Sequence, residues 1–268
     1  MSKVTFVARC DDLGSSQSAN RAIRAVTSAG LFKNVSVMAP GPFVEQAADM
    51  LKDQKNICFG MHTTLNAEWD RVKWGPVSEL KPDCGLLDEQ GYFLSDPSLF
   101  AGTKPDVEII ISEVSAQLDK LQRLGFDIRY IDSHMFPEMF IDGLDEAMCD
   151  FIRGKGLIDH MYYYQLPPGF KELADGSKSP LAFLRTIPAG QYFFISHPSY
   201  DTPEMRLTGN AATSGEEVAR ARDGETRMYS KKATTLLLRC MGISGVRYDE
   251  AAFSERLSVE QVKILLAQ

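Results

Sequence analysis

Four apolar runs of this chain end in residues that can bind a metal ion or move a proton. "TFVARCDD" ends in Asp11 and Asp12, "ICFGMH" in His62, "IRYIDSH" in Asp132 and His134, and "QYFFISH" in His197. The chain has only four histidines. Three of them close such runs, and the fourth, His160, opens one. A single histidine at a strand end is commonly structural, and paired aspartates after a strand often cap the next helix. Their joint placement at several strand ends favours a site. Two imidazoles and one carboxylate suit a divalent ion such as zinc. Such an ion lowers the pKa of the water it binds and polarises a carbonyl. A second carboxylate beside it can act as general base, and a further histidine can protonate a leaving group. Neighbouring residues past a strand point in different directions. One aspartate of the pair can therefore face the metal and the other the water.

The elements that must position these groups alternate between strand and helix. Val4–Ala8, residues 34–39 and 57–62 read as strands, and 18–29 and 43–52 as helices, the first capped by Ser18 and stopped by Gly30. This β-α-β-α-β order predicts a parallel sheet or barrel with right-handed crossovers. Sites in such folds gather at the C-terminal ends of the strands. Residues 63–104, with Trp69 and Trp74, lack periodicity and form a long excursion after the third strand. A helix is expected over 106–124, a strand over 128–134, a helix over 144–153 and a strand running on from His160. A strand over 190–197, one long helix over 216–240 and a last helix over 259–266 complete the order. One domain over residues 1–268 is the simplest organisation.

The bulk numbers exclude some classes. The 268 residues carry a net charge of −7 and are 44% hydrophobic. No basic stripe is available for nucleic acid. No stretch approaches the roughly 18 apolar residues that span a bilayer, and no secretory signal is read at the N-terminus. Five cysteines, odd in number and scattered without a CxxC pair, indicate reduced thiols in a cytoplasmic protein.

Four segments together resemble the YdjC/ChbG family of sugar deacetylases, which are related in mechanism to polysaccharide deacetylases. "ARCDDLG" is similar to that family's DDFG signature and "FGMHTTLN" to its G-L-H-x-T-L segment. "YIDSHMF" is similar to its I-D-S-H motif and "ISHPSY" to its C-H-P-G-Y motif. They occur in the family's order within residues 4–250. The resemblance implies an α/β fold, a distorted parallel (β/α) barrel of about seven strands. It also implies metal-dependent removal of N-acetyl groups from small saccharides such as N-acetylglucosamine-containing sugars. Carried over residue by residue, it makes Asp12, His62 and His134 the ligands of one divalent ion, zinc or magnesium. Asp11 becomes the general base, His197 the general acid, and Asp132 the group orienting a ligand histidine. This chain departs from the family at Leu13, at Ser199, and at Met135 and Phe136, where further histidines are usual.

Trp69, Trp74 and Phe136 are candidates to line the cleft for a small carbohydrate, since sugar rings stack on aromatic faces; the two tryptophans could equally pin the excursion to the barrel. The polar run 205–230 reads as a loop near His197 followed by a solvated helix face. The apolar strip 136–140 is read either as an exposed interface, as in a homodimer, or as a cover over the pocket. Two other functions share the site: a metal-dependent phosphoesterase, disfavoured because no Gly-rich phosphate cradle is present, and a non-catalytic sugar-binding relative.

Overall fold

The computed structural model describes residues 3–170, 177 and 179–267. Among them seven strands form one sheet: β1 (Val4–Leu13), β2 (Asn34–Val37), β3 (Cys58–Thr63), β4 (Ile128–Ser133), β5 (Ile158–Asp159), β6 (Gly190–Ser196) and β7 (Ile243–Gly245). Their order is β5-β4-β3-β2-β1-β6, with β7 also on β1, and every pair is parallel. The sheet curls into a half-barrel, a distorted (β/α) barrel as expected. Helices α1 (Gln17–Ala29), α2 (Val44–Leu51), α3 (Phe100–Thr103), α4 (Val107–Arg123), α5 (Leu144–Gly154), α6 (Pro180–Thr186), α7 (Gly215–Tyr229), α8 (Lys232–Cys240) and α9 (Val259–Ala267) connect or follow the strands.

Strand alternation gives the two faces different chemistry. Phe6, Ala8 and Cys10 of β1, Phe59 and Met61 of β3 and Ile131 of β4 join the main core. Val7 of β1, Cys58 of β3, Tyr130 of β4 and Phe193 of β6 form a second core on the opposite face, with Tyr248. Arg9, Asp11, His62 and Asp132 share the parity of that second set. The barrel interior therefore changes from aromatic to charged as the strands approach their C-terminal ends. Gly60 is required there, because a Cβ would meet the Tyr130 ring at 2.1 Å.

β1 changes partner along its length. Its first residues pair with β7 and Arg9 onward with β2. Asn34 bridges the changeover, donating from Nδ2 to Ala8 O and Val246 O at 3.0 Å each, while its Oδ1 accepts from Tyr248 N at 2.8 Å.

The excursion after β3 is tied down by α4. Gln117 Nε2 donates to Thr64 O at 2.7 Å, and its Oε1 accepts from Thr64 N at 3.1 Å. The buried Glu113 carboxylate accepts from Val77 N and Ser78 N at 2.9 and 2.8 Å.

Several expectations are corrected. Ser16, not Ser18, caps α1, accepting from Ala19 N at 3.0 Å, and Ser18 Oγ instead donates to Glu204. The strand expected from His160 is only Ile158–Asp159. Asp159 caps a 3-10 turn over His160–Tyr163, so the tyrosines do not alternate as in a strand. All four histidines thus follow or close strands. The long helix over 216–240 is two helices, separated at Ser230 and Lys231. The strip 136–140 is buried at Pro137 and half-buried elsewhere, not exposed. β7 is an additional short strand.

Candidate active site

Two neighbouring aspartates on a regular strand would point to opposite faces. Here β1 gains a residue against β2: Cys10 pairs with Val35 but Leu13 with Val37. Asp12 sits at φ 68° within this bulge, a conformation disfavoured for a residue with a Cβ. The irregularity turns Asp12 back toward the cluster that Asp11 already faces. Gly14 follows at φ 100°, with Met38 O and Val44 only 3.1–3.2 Å from where a Cβ would stand.

His62 and Asp132 are register partners on β3 and β4. His62 Nδ1 donates to Asp132 Oδ2 at 2.7 Å. His134, one residue past β4, donates from Nε2 to Glu68 Oε2 at 3.0 Å. Each outer nitrogen is therefore committed to a carboxylate, which turns a lone pair of the other nitrogen inward. His62 Nε2 lies 3.2 Å from His134 Nδ1, and Asp12 Oδ1 lies 3.6 and 3.7 Å from them. Bonds of about 2.0–2.2 Å to one ion put donor atoms roughly 3.0–3.6 Å apart, close to this triangle. Asp12 Oδ1 is buried without a hydrogen-bond partner among the described residues, as a ligand atom should be. Oδ2 is held by Arg222 Nη1 at 2.7 Å, leaving Oδ1 as the atom directed at the histidines. The donor set and its geometry fit a divalent ion.

Asp11, His62 and Asp132 also lie close together, but Arg9 occupies that place. Its Nε and Nη2 donate to the two oxygens of Asp11 at 2.6 and 2.8 Å, and Nη2 lies 3.0 Å from Asp132 Oδ2. Arg9 is 2% exposed and rests on Phe193, 5.2 Å from the ring centroid.

Around the triangle stand four carboxylates, Asp11, Asp12, Glu68 and Asp132, and two guanidiniums, Arg9 and Arg222. The shortfall equals the charge of a divalent ion. The same excess of negative charge bears on the neighbouring groups. Burial opposes charge on His62, yet Asp132, Asp11 and Asp12 raise its pKa to about 9. Burial would raise the Asp12 carboxyl, but Arg222, His197, His134 and His62 hold it well below the usual range.

His197 follows β6, half-buried, with its backbone N–H donating to Glu225 Oε2 at 2.8 Å. It lines an open concavity with Arg222, Glu217 and Thr213. Trp69 packs on Met205, Val218 and Ala219, with Arg222 6.0 Å from its ring centroid. Trp74 is 4% exposed, donates from Nε1 to Asn66 O at 2.6 Å and meets His134 edge-on. It is a support for the excursion. Phe136 packs on His160 and Tyr164 behind Asp132.

Sequence reasoning missed Arg9, Glu68 and Arg222. Arg9 carried a signal: a charge inside an apolar strand, two residues before Asp11 and so on the same face. Glu68 and Arg222 carried none, since each meets its partner across a long stretch of chain and Arg222 lies in a run that reads as solvated.

These features define a distorted (β/α) barrel with a histidine–carboxylate centre at the C-terminal ends of its strands. The chain belongs to the YdjC-like protein family, whose profile matches residues 6–239. It is 24% identical over 220 residues to a carbohydrate deacetylase of Thermoanaerobacter pseudethanolicus, covering 75% of this chain and 83% of that protein. It is 26% identical over 132 residues to a carbohydrate deacetylase of Vibrio cholerae serotype O1 (strain M66-2), about half of either chain. A crystal structure from Enterococcus faecalis V583, of a protein provisionally named for cellobiose-phosphate cleavage, superposes with a TM-score of 0.70 at 15% identity. That superposition covers 93% of this chain and 98% of the other and establishes a shared fold.

Proposed function

We propose that this chain, as one catalytic domain over residues 1–268, is a metal-dependent carbohydrate deacetylase. It would remove N-acetyl groups from small saccharides such as those containing N-acetylglucosamine. The observation that carries this reading is the triangle of Asp12 Oδ1, His62 Nε2 and His134 Nδ1, with its unpartnered carboxylate oxygen. The family relatives named carbohydrate deacetylases support the substrate class.

Asp12, His62 and His134 would hold one divalent ion, zinc or magnesium. When bound, it polarises the acetyl carbonyl and stabilises negative charge developing on its oxygen. Asp11, held at both oxygens by Arg9, accepts a proton from the attacking water. His197, just past β6, delivers a proton to the sugar nitrogen as the carbon–nitrogen bond breaks, yielding acetate and an amine. Asp132 and Glu68 orient the two ligand histidines. The half-buried Trp69 offers a surface on which a sugar ring can stack.

The test is a screen of N-acetylated mono- and disaccharides with added zinc or magnesium, reading released acetate. Release that stops on chelation is the expected result. Binding of metal and sugar without acetate would replace the enzyme with a sugar-binding relative.

A further inference from the structure

Beside Asp132 lies a small cavity of about 20 Å³, lined by Asp132, Ser133, Glu138 and His160 among others and by none of Asp12, His62 and His134. One water needs roughly 10–15 Å³ measured this way. Three buried polar atoms of the lining residues have no hydrogen-bond partner among the described residues: Asp132 Oδ1, Glu138 Oε2 and His160 Nδ1. Such atoms are rare in native interiors and each calls for an explanation. The other polar groups there satisfy one another. Arg256 donates to both oxygens of Asp145 at 3.1 and 2.6 Å and to Asp159 Oδ2 at 2.7 Å. Asp159 Oδ1 accepts from Met161 N at 2.9 Å. Glu138 Oε1 is engaged by the Ser133 hydroxyl. The His160 ring is held between Phe136 and Tyr164, at 5.8 and 6.1 Å between centroids.

We propose that one buried water occupies this cavity as a fixed part of the site, and that His160 and Glu138 act through it as positioning residues for Asp132 and hence for His62. His160 Nδ1–H donates to the water, the water donates to Asp132 Oδ1, and it bonds Glu138 Oε2, accepting from the protonated carboxyl and donating to the carboxylate. These three bonds are the usual number for an internal water and satisfy all three orphaned atoms together. The protonation states agree with this pattern. Burial and the nearby Arg9 push the His160 pKa down to about 4, against the opposing charges of Asp132, Asp159 and Asp11, so the ring is neutral and carries one N–H. Burial pushes the Glu138 carboxyl up to about 7, with Asp145 and Asp159 adding to it and the Ser133 hydrogen bond opposing it. Asp132 Oδ2 already serves His62 and Arg9. The water supplies what Oδ1 lacks and fixes the carboxylate plane. The water site stands on the cavity alone, and its effect on metal retention rests on the metal site proposed above.

Two measurements on the full chain test this. A high-resolution crystal structure of the wild type should show one ordered water within about 3.2 Å of Asp132 Oδ1 and His160 Nδ1, and a dry cavity would overturn the proposal. Zinc affinity, read by competition with a chromogenic chelator, should fall about 10–100-fold in His160→Phe, as for other groups supporting metal ligands. It should recover to within about threefold in His160→Asn, whose amide nitrogen stands in for Nδ1. Unchanged affinity in a folded His160→Phe, or no recovery in His160→Asn, would contradict the positioning role. If His160→Phe does not fold, the crystal structure decides. If the wild type takes up no metal, the metal site fails, and the water is still tested by crystallography.

Discussion

The two histidines of the triangle are supported in different ways. His62 lies on β3 and leans on Asp132 of the next strand, in a layer shared with Arg9 and Asp11 and almost wholly buried. His134 lies just past β4 and leans on Glu68, which belongs to the long excursion. That excursion is in turn fastened through Trp74, Gln117 and Glu113. The first half of the site is held by strand register, the second by a loop docked onto the barrel. Register pairing tolerates no slip without turning every side chain over, whereas a docked segment can move by small amounts. The strand half should therefore behave as all-or-none and the excursion half as graded.

The largest effect should come from His62→Ala. It removes one ligand and leaves Asp132 and Arg9 to repack, so metal content after dialysis should fall to background and activity by at least about 10³-fold. Retained stoichiometric metal would contradict the triangle. Glu68→Gln keeps a hydrogen-bond acceptor but loses charge. It should weaken metal binding by about 10–100-fold without abolishing it, read by chelator competition. A loss as complete as that of His62→Ala would erase the distinction between the two halves.

How much of this was legible beforehand follows the same division. The strand ends placed Asp11, Asp12, His62, Asp132, His134 and His197 on one edge, because burial of a parallel sheet makes near-continuous apolar runs whose polar ends stand out. Arg9 was readable in principle from parity with Asp11. Glu68 and Arg222 were not, since their contacts with His134 and Asp12 span 66 and 210 residues and no local period records them. The bulge at Asp12 was equally hidden: it is a matter of register between two strands, and neither strand shows it alone. The split of 216–240 into two helices was missed because the helical pattern continues across Ser230.

Smaller effects refine the contrast. Trp69→Ala should raise KM for a sugar substrate by about tenfold, the scale of one lost aromatic contact, with kcat and metal content little changed. A fall in metal content instead would make Trp69 part of the scaffold around Arg222. The smallest effect concerns Glu138. Burial pushes its folded-state pKa up to about 7, above the ordinary glutamate value of 4.5, so between these values the native state holds a proton that the unfolded chain releases. Stability should therefore decline as pH rises from about 4.5 to about 7 and level off above, by about 2 kcal/mol for this partly buried residue. Thermal melts from pH 5 to 8 should show that slope in the wild type and a flatter one in Glu138→Gln; equal slopes would remove the raised carboxyl.

The central claim assigns different work to adjacent aspartates: Asp12 holds the ion and Asp11 moves the proton. The direct test is acetate release and metal content measured together on Asp11→Asn. The account predicts metal bound at the wild-type level with acetate release lowered by about 10²–10⁴-fold. Acetate release at the wild-type rate, or loss of the metal along with activity, would contradict it.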